Sequence, residues 1–280
     1  MEIIRDKIFP QERALYASDG VKLVDCRFEG EEDGESALKE SKNIVLSGCY
    51  MDLRYPLWHD TGVRLENCEM TNKCRAPLWY SRGIFVRDSV LNGVKALREC
   101  ADAEFCGCEI DSPEFGWRTH GVKMSNCRVK GEYMLFSASG VCWNNVEFSG
   151  KYSFQYIENA IVENCTLDTK DAFWHTKNVT VKDSVINGEY LAWYSENLTL
   201  VNCKISGTQP LCYCKGLKLI NCTAKNCDLS FEYSEVEADI SGGIDSVKNP
   251  RSGRIAANGF GEIILTKDSV YPCECKITCK

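Results

Sequence analysis

No run of eighteen apolar residues occurs in this 280-residue chain, so nothing in it reads as a membrane-spanning helix. The opening Met-Glu-Ile-Ile-Arg-Asp-Lys lacks the apolar core of a signal peptide, which makes the cytoplasm the expected compartment. Charge is not gathered anywhere. The net −7 is spread along the chain without a basic stripe, which argues against a nucleic-acid partner. A phosphate-binding glycine loop, a Ser-His-Asp order and a nucleotide fingerprint are missing too, so no cofactor is expected. Cys273-x-Cys275-x3-Cys279 is dense in thiols but has neither Cys-x2-Cys spacing nor a nearby His, so no metal is expected. Helical periodicity is absent.

What the chain has is a repeat. Val63-Arg-Leu-Glu-Asn-Cys, Val122-Lys-Met-Ser-Asn-Cys, Leu198-Thr-Leu-Val-Asn-Cys and Leu217-Lys-Leu-Ile-Asn-Cys are versions of one line. Taking its first apolar residue as a marker gives Val21, Ile44, Val63, Ile84, Ala103, Val122, Val141, Ala160, Val179, Leu198, Leu217 and Val236. Nine of these steps are 19 residues; the 23-residue step holds the acidic insert Gly30 to Glu35, and the 21-residue step has its extra residues near Asn72 to Ala76. A fixed period of this size marks a solenoid.

Within each line, apolar and polar residues alternate from the marker, which is a strand pattern. Asn, Asp or Gly follows four residues after the marker (Asn67, Asp88, Gly107, Asn126, Asn145, Asn164, Asp183, Asn202, Asn221) and also sits just before most markers. These types tolerate left-handed backbone at a bend. A glycine row lies nine after the marker: Gly93, Gly131, Gly150, Gly188 and Gly207. Short strands separated by recurring bends give an all-β, single-stranded parallel β-helix of about twelve coils, roughly 55 Å long at the usual strand spacing. A leucine-rich-repeat horseshoe lacks support, because its helical segment is missing. The expected organisation is one domain over 1–280: a cap at 1–13, coils over 14–240, and a further coil with a cap over 241–280. Ile255, 19 residues after Val236, marks that further coil.

Eighteen cysteines would suit a disulfide scaffold. Eight of them share one repeat position, five after the marker (Cys26, Cys49, Cys68, Cys108, Cys127, Cys165, Cys203, Cys222), where other coils put Ser89, Val146 and Ser184. That mixture suggests a small buried filler, hence a ladder of internal thiols. Neighbouring coils would allow bridges geometrically, but Cys165 has only Val146 and Ser184 beside it. The Asn-x-Thr triplets at Asn164, Asn178, Asn197 and Asn221 are by-products of the repeat.

Several stretches then resemble one family. They are Glu12-Arg13-Ala14-Leu15, Gly34 to Glu40, Tyr55-Pro56-Leu57-Trp58-His59, Arg75 to Tyr80, Lys170 to His175, Gly188 to Trp193 and Ser246 to Pro250. Together they are similar to the bacterial domain-of-unknown-function family 3737, whose members look like pectin-lyase-type right-handed β-helices. The resemblance spans the chain and implies right-handedness. It brings no activity. The chain departs from the polygalacturonases and pectate lyases of the wider superfamily: it has no Asn-x-Asp, Asp-Asp, Gly-His-Gly series and no aspartate cluster for a lyase's calcium.

The unusual residues precede each marker. Five before it stand Trp58, Trp79, Trp117, Trp174 and Trp193, interrupted by Lys39, Arg98 and Gln155. Four before it stand His59, Tyr80, Glu99, Arg118, Tyr156, His175, Tyr194 and Tyr213. This segment reads as a strand, so the two rows should face opposite ways, with the polar row in solvent and the tryptophan row at least partly buried; a corner between them would expose both. One reading is a ligand-binding face for an oligo- or polysaccharide made of Trp58, Trp79, Tyr80, Trp117, Tyr156, Trp174, His175, Trp193, Tyr194 and Tyr213, with flat rings for sugar C–H groups. The simpler reading is stacked packing. The best catalytic candidates are Asp60, Glu99, Arg118 and His59, with Asp60 and Glu99 as a glycosidase acid–base pair if their carboxyls lie about 5 to 9.5 Å apart. Equally, this is a surface ion-pair row. His59 and His175 lie six coils apart, roughly 29 Å, and His120 reads as a lone surface residue. Two functions follow: a carbohydrate-binding or carbohydrate-active protein, or a non-enzymatic structural or protein-interaction solenoid, with a homo-oligomer possible for either.

Overall fold

The alternation at each marker carries straight into structure. Val63 and Leu65 point inward and Arg64 points out, and the same holds at Val179, Thr180 and Val181. The computed structural model describes residues 1–30 and 35–280; the acidic insert at 31–34 lies outside the described residues, as does Gly34 of the family-like stretch. Among the described residues there is no helix, and every strand pairing is parallel between successive repeats. The chain is a parallel β-solenoid whose described residues form two compact units, Met1–Cys142 and Trp143–Lys280. In the first, marker pairs with marker (Ile44 with Val63, Val63 with Ile84, Ala103 with Val122). In the second, Ala160 pairs with Val179, Val179 with Leu198, and Leu217 with Val236.

The bends are left-handed, as the residue types require. Four after the marker, φ is 53° at Asn67, 46° at Asp88, 65° at Gly107 and 53° at Asn202. Each such non-glycine residue carries a steric cost of about 1–2 kcal/mol. Side-chain amides linked from coil to coil offset it: Asn202 Nδ2 donates to Asp183 Oδ1 at 2.9 Å, and Asn221 Nδ2 to Asn202 Oδ1 at 2.9 Å. A second row, just before the marker, links Asn197 to Asn178 at 3.1 Å. Gly188 is needed for a different reason. Its φ is 147°, and a Cβ there would lie 1.3 Å from the Thr169 carbonyl oxygen.

The segment before each marker departs from expectation. Apart from Leu78–Trp79 paired with Leu97–Arg98, it forms turns rather than strands. Left-handed residues recur within it: Tyr55 and His59, Ala76 and Tyr80, Lys95 and Glu99 in the first unit, and Asp171, Phe173 and His175 in the second. These bends break the two-residue alternation but keep the backbone N–H groups aimed at the next coil. His59 N–H reaches Trp79 O at 2.9 Å, and Glu99 N–H reaches Trp117 O at 2.9 Å.

The shared cysteine position is buried, and no disulfide joins the cysteines of the described residues. It is more than a filler. The Cys108 thiol donates to Cys106 O at 3.4 Å and Val86 O at 3.5 Å, while the Cys108 N–H donates to Cys127 Sγ at 3.4 Å. Ser89 and Ser184 make the same pattern, accepting the N–H of Cys68 and Cys165 at 3.0 Å each. In these coils the position serves as a small donor–acceptor, which explains why Ser replaces Cys there; Val146, buried at the same offset, is the coil that goes without one.

At both ends the ladder continues: into the segment expected as the N-terminal cap, and through the further coil expected around Ile255 into the segment expected as the C-terminal cap. Glu2–Arg5 pairs with Val21–Val24, Ser252–Ala257 forms the further coil around Ile255, and Glu274–Cys279 pairs with it in turn. The donor–acceptor role of the cysteine position is testable. Cys127→Ser should leave stability within about 1 kcal/mol, whereas Cys127→Val strands the buried Cys108 N–H and should lower it by about 1–3 kcal/mol in urea unfolding. Equal effects of the two substitutions would show the position to be a mere filler.

Candidate functional site

The left-handed residue four before each marker turns two consecutive side chains outward. The tryptophan row is therefore half-buried beside an outer row, rather than on the opposite face. Each tryptophan leans along the wall and gives its indole N–H to a carbonyl of the next coil: Trp58 to Ala76, Trp79 to Lys95 at 2.8 Å, Trp117 to Tyr133 at 2.7 Å, Trp174 to Tyr190 at 2.6 Å and Trp193 to Gln209 at 2.7 Å. The residues that break the row in sequence keep it whole in space. Gln155 supplies the same donor through its amide, 3.0 Å from Asp171 O. Arg98 lies between Trp79 and Trp117, 5.1 and 5.2 Å from their centroids, and Lys39 lies 5.8 Å from Trp58. Trp58 stacks on Trp79 at 5.3 Å and 2°, and Trp174 on Trp193 at 5.2 Å and 3°.

The outer row stacks too. In the first unit His59 lies on Tyr80 at 4.9 Å and 15°. Beyond them Glu99 Oε1 sits 3.6 Å from both Arg98 Nε and Arg118 Nη1. In the second unit Tyr156, His175, Tyr194 and Tyr213 form a continuous column, with spacings of 4.8, 4.9 and 4.7 Å and tilts of at most 13°. Tyr233 adds a further ring at 5.8 Å. Both faces of His175 and Tyr194 and one face of Tyr213 are thus covered by stacked rings, while Tyr233 meets the other side of Tyr213 at a 53° tilt, so these side chains present chiefly edges. Burial pushes the His175 pKa down, so the imidazole is held neutral. Burial and the nearby Glu232 charge push Tyr213 up to about 12, which keeps its hydroxyl a donor.

Asp60 is not on this surface. It is 1% exposed and faces the interior, where Oδ1 accepts the Ser41 N–H at 2.8 Å and Oδ2 is buried without a hydrogen-bond partner. The structure therefore separates it from Glu99, which faces outward and is engaged by two arginines. The expected acid–base pair is not assembled, because the left-handed residue at His59 sends the next side chain inward.

Asp60 belongs to a second internal ladder that the sequence reading missed. Three before the marker, Ser41, Ser81, Cys100, Thr119, Ser195 and Cys214 are buried. The Ser81 hydroxyl accepts the Asp60 N–H at 3.0 Å and lies within bonding distance of Leu57 O (3.0 Å) and Trp79 O (3.1 Å). A small polar residue at a fixed offset was the available signal. Burial raises the Asp60 carboxyl from 3.8 to about 8, so in its neutral form it takes the serine's place as acceptor of a coil-to-coil N–H.

A folded-state pKa above the unfolded one means the contribution is full below pH 3.8 and is lost as pH rises through about 8. Asp60→Ser should thus raise stability relative to wild type by a few kcal/mol at pH 8, at about 1.4 kcal/mol per pKa unit, with the gap closing toward pH 4. Thermal unfolding of both proteins from pH 4 to 8 measures it, and a pH-independent gap would contradict the assignment.

Solved structures similar to this chain are pectin-lyase-like β-helices and pentapeptide-repeat proteins. The A-module of the Azotobacter vinelandii mannuronan C-5 epimerase AlgE4 is 11% identical, with 99% of this chain and 87% of that one covered at a TM-score of 0.31. A GH87 α-1,3-glucanase catalytic domain in complex with nigerose is 10% identical, covering 99% of this chain and 63% of that one at 0.29. HetL, a pentapeptide repeat protein of Nostoc, is 11% identical, covering 79% of this chain and 92% of that one at 0.23. At these scores the likenesses carry nothing about activity. No curated protein sequence matches the chain. The family described as protein of unknown function (DUF3737) matches residues 2–278, and the chain belongs to that family.

Proposed function

We propose that this protein is a non-catalytic recognition solenoid that docks a protein partner on the outer column of its second unit. The observation that carries the proposal is the stacking that closes both faces of His175 and Tyr194 and one face of Tyr213, which leaves imidazole and phenol edges as the main contact surface. A sugar that stacks on an aromatic ring needs an open face. The tryptophans do not supply a polar handle either, since their indole N–H groups are taken by backbone carbonyls. Tyrosine edges on a rigid wall suit a protein partner: they offer large area and a hydroxyl at little cost in side-chain freedom. The inward position of Asp60 removes one of the two carboxyls that a glycosidase would require.

The test is a photo-crosslinker, benzoylphenylalanine, at Tyr194, with the same group at the exposed Ile161 as control. Protein adducts are expected at 194 and not at 161, and they should fall at least fivefold when Tyr213→Phe, which keeps the stack and removes a hydroxyl, is combined with it. Absence of adducts at 194 would overturn the proposal, and oligosaccharide binding in a glycan panel that Tyr194→Ala abolishes would replace it with a carbohydrate ligand.

A further inference from the structure

The partner of this surface can be narrowed by its period and its charge. The rings of Tyr156, His175, Tyr194 and Tyr213 recur every 4.7–4.9 Å, the spacing of the coils themselves. A partner that meets every ring edge must carry the same repeat, and a second copy of this chain does.

Both flanks set charges of opposite sign side by side. On one side, Glu158, Lys177, Glu196 and Lys215 are neighbours in successive coils. On the other, Lys170 and Glu189 are neighbours, with Lys170 Nζ 2.9 Å from Glu189 Oε2. We propose that two copies pair through this column, antiparallel, about a two-fold axis lying between the coils of His175 and Tyr194. The pairing rests on the docking reading above.

In that arrangement His175 meets the partner's Tyr194, and Tyr156 meets the partner's Tyr213. The neutral imidazole accepts from a phenol, and no charge is buried at the centre. Lys177 then faces the partner's Glu196, Glu158 faces the partner's Lys215, and Lys170 faces the partner's Glu189. Each of these six charges meets its opposite, Lys151 beside Lys170 meets the partner's uncharged Thr208, and two-fold symmetry doubles each pair. The alternatives fail on the same residues. Moving the axis by half a coil sets Lys177 against the partner's Lys177, or Glu196 against the partner's Glu196. Turning the copies parallel sets Lys170 against the partner's Lys177, and Glu189 against the partner's Glu196. The alternation thus selects both direction and register.

Four coils of contact, roughly 20 Å long and one wall wide, make an interface well under about 1,200 Å², the size of weak and transient contacts, so the dimer is weak and reversible. Sedimentation velocity of the full chain between micromolar and millimolar concentration tests it, with thermal unfolding as a control for folding. Wild type should shift from monomer to dimer. Lys177→Glu alone and Glu196→Lys alone should each weaken association more than tenfold, and the double variant K177E/E196K should return to within about threefold of wild type. A wild type monomeric throughout, single variants without effect, or a double variant that fails to recover would each overturn the pairing. If wild type stays monomeric while the crosslinker at 194 captures a different protein, the pairing falls and the docking proposal stands. If it captures nothing, both fall.

Discussion

Everything in this fold depends on backbone hydrogen bonds that run from one coil to the next. A coil of 19 residues has to turn several times, and each turn would ordinarily point some N–H and C=O groups away from the neighbours above and below. Left-handed residues at fixed positions prevent this. They bend the chain and hold its polar groups along the stacking direction, as the bonds from His59 to Trp79 and from Glu99 to Trp117 illustrate. A strained bend at His59, Tyr80 or Phe173 persists because the coils on both sides hold it in register.

The same demand shapes the interior. Wherever the backbone bends, some N–H groups face inward and need an acceptor there. Small side chains that both donate and accept fill the need at two offsets, using thiols in some coils and hydroxyls in others. Between these rows lies an ordinary apolar core, including the Phe105–Phe115 contact in the first unit and the Phe154–Phe173 stack in the second. The outer columns are the mirror of this arrangement, since a bend that sends one small polar residue inward sends its two predecessors outward.

Much of this was legible in the chain. Marker spacing gave the parallel pairing and its register, and the Asn, Asp and Gly rows gave two of the left-handed corners, because those residue types advertise such backbone. The corner before the marker was hidden. Tyr80, Glu99 and Tyr194 are not residues associated with left-handed angles, so alternation was extended into a segment that does not alternate. For the same reason Asp60 was read as lying on the surface beside Glu99. Arg98 and Gln155 looked like defects in an aromatic row because a letter does not show that a guanidinium stacks between two indoles or that an amide can copy an indole N–H.

The internal thiols also change how the molecule meets reactive chemistry. Burial pushes Cys74 up to about 12 and Cys100 to about 11, and in both the sulfur is engaged with a backbone carbonyl. An electrophile attacks thiolate, so these two are shielded twice, by access and by protonation, whereas Cys127 and Cys222, each pushed down to about 7 by the thiol of the neighbouring coil, are shielded by burial alone. Toward alkylating reagents or peroxide, a chain of eighteen cysteines presents chiefly the exposed Cys142, Cys273 and Cys279. Its thiol content is a structural inventory rather than a reducing reserve, and it becomes chemically available only where the stack comes apart.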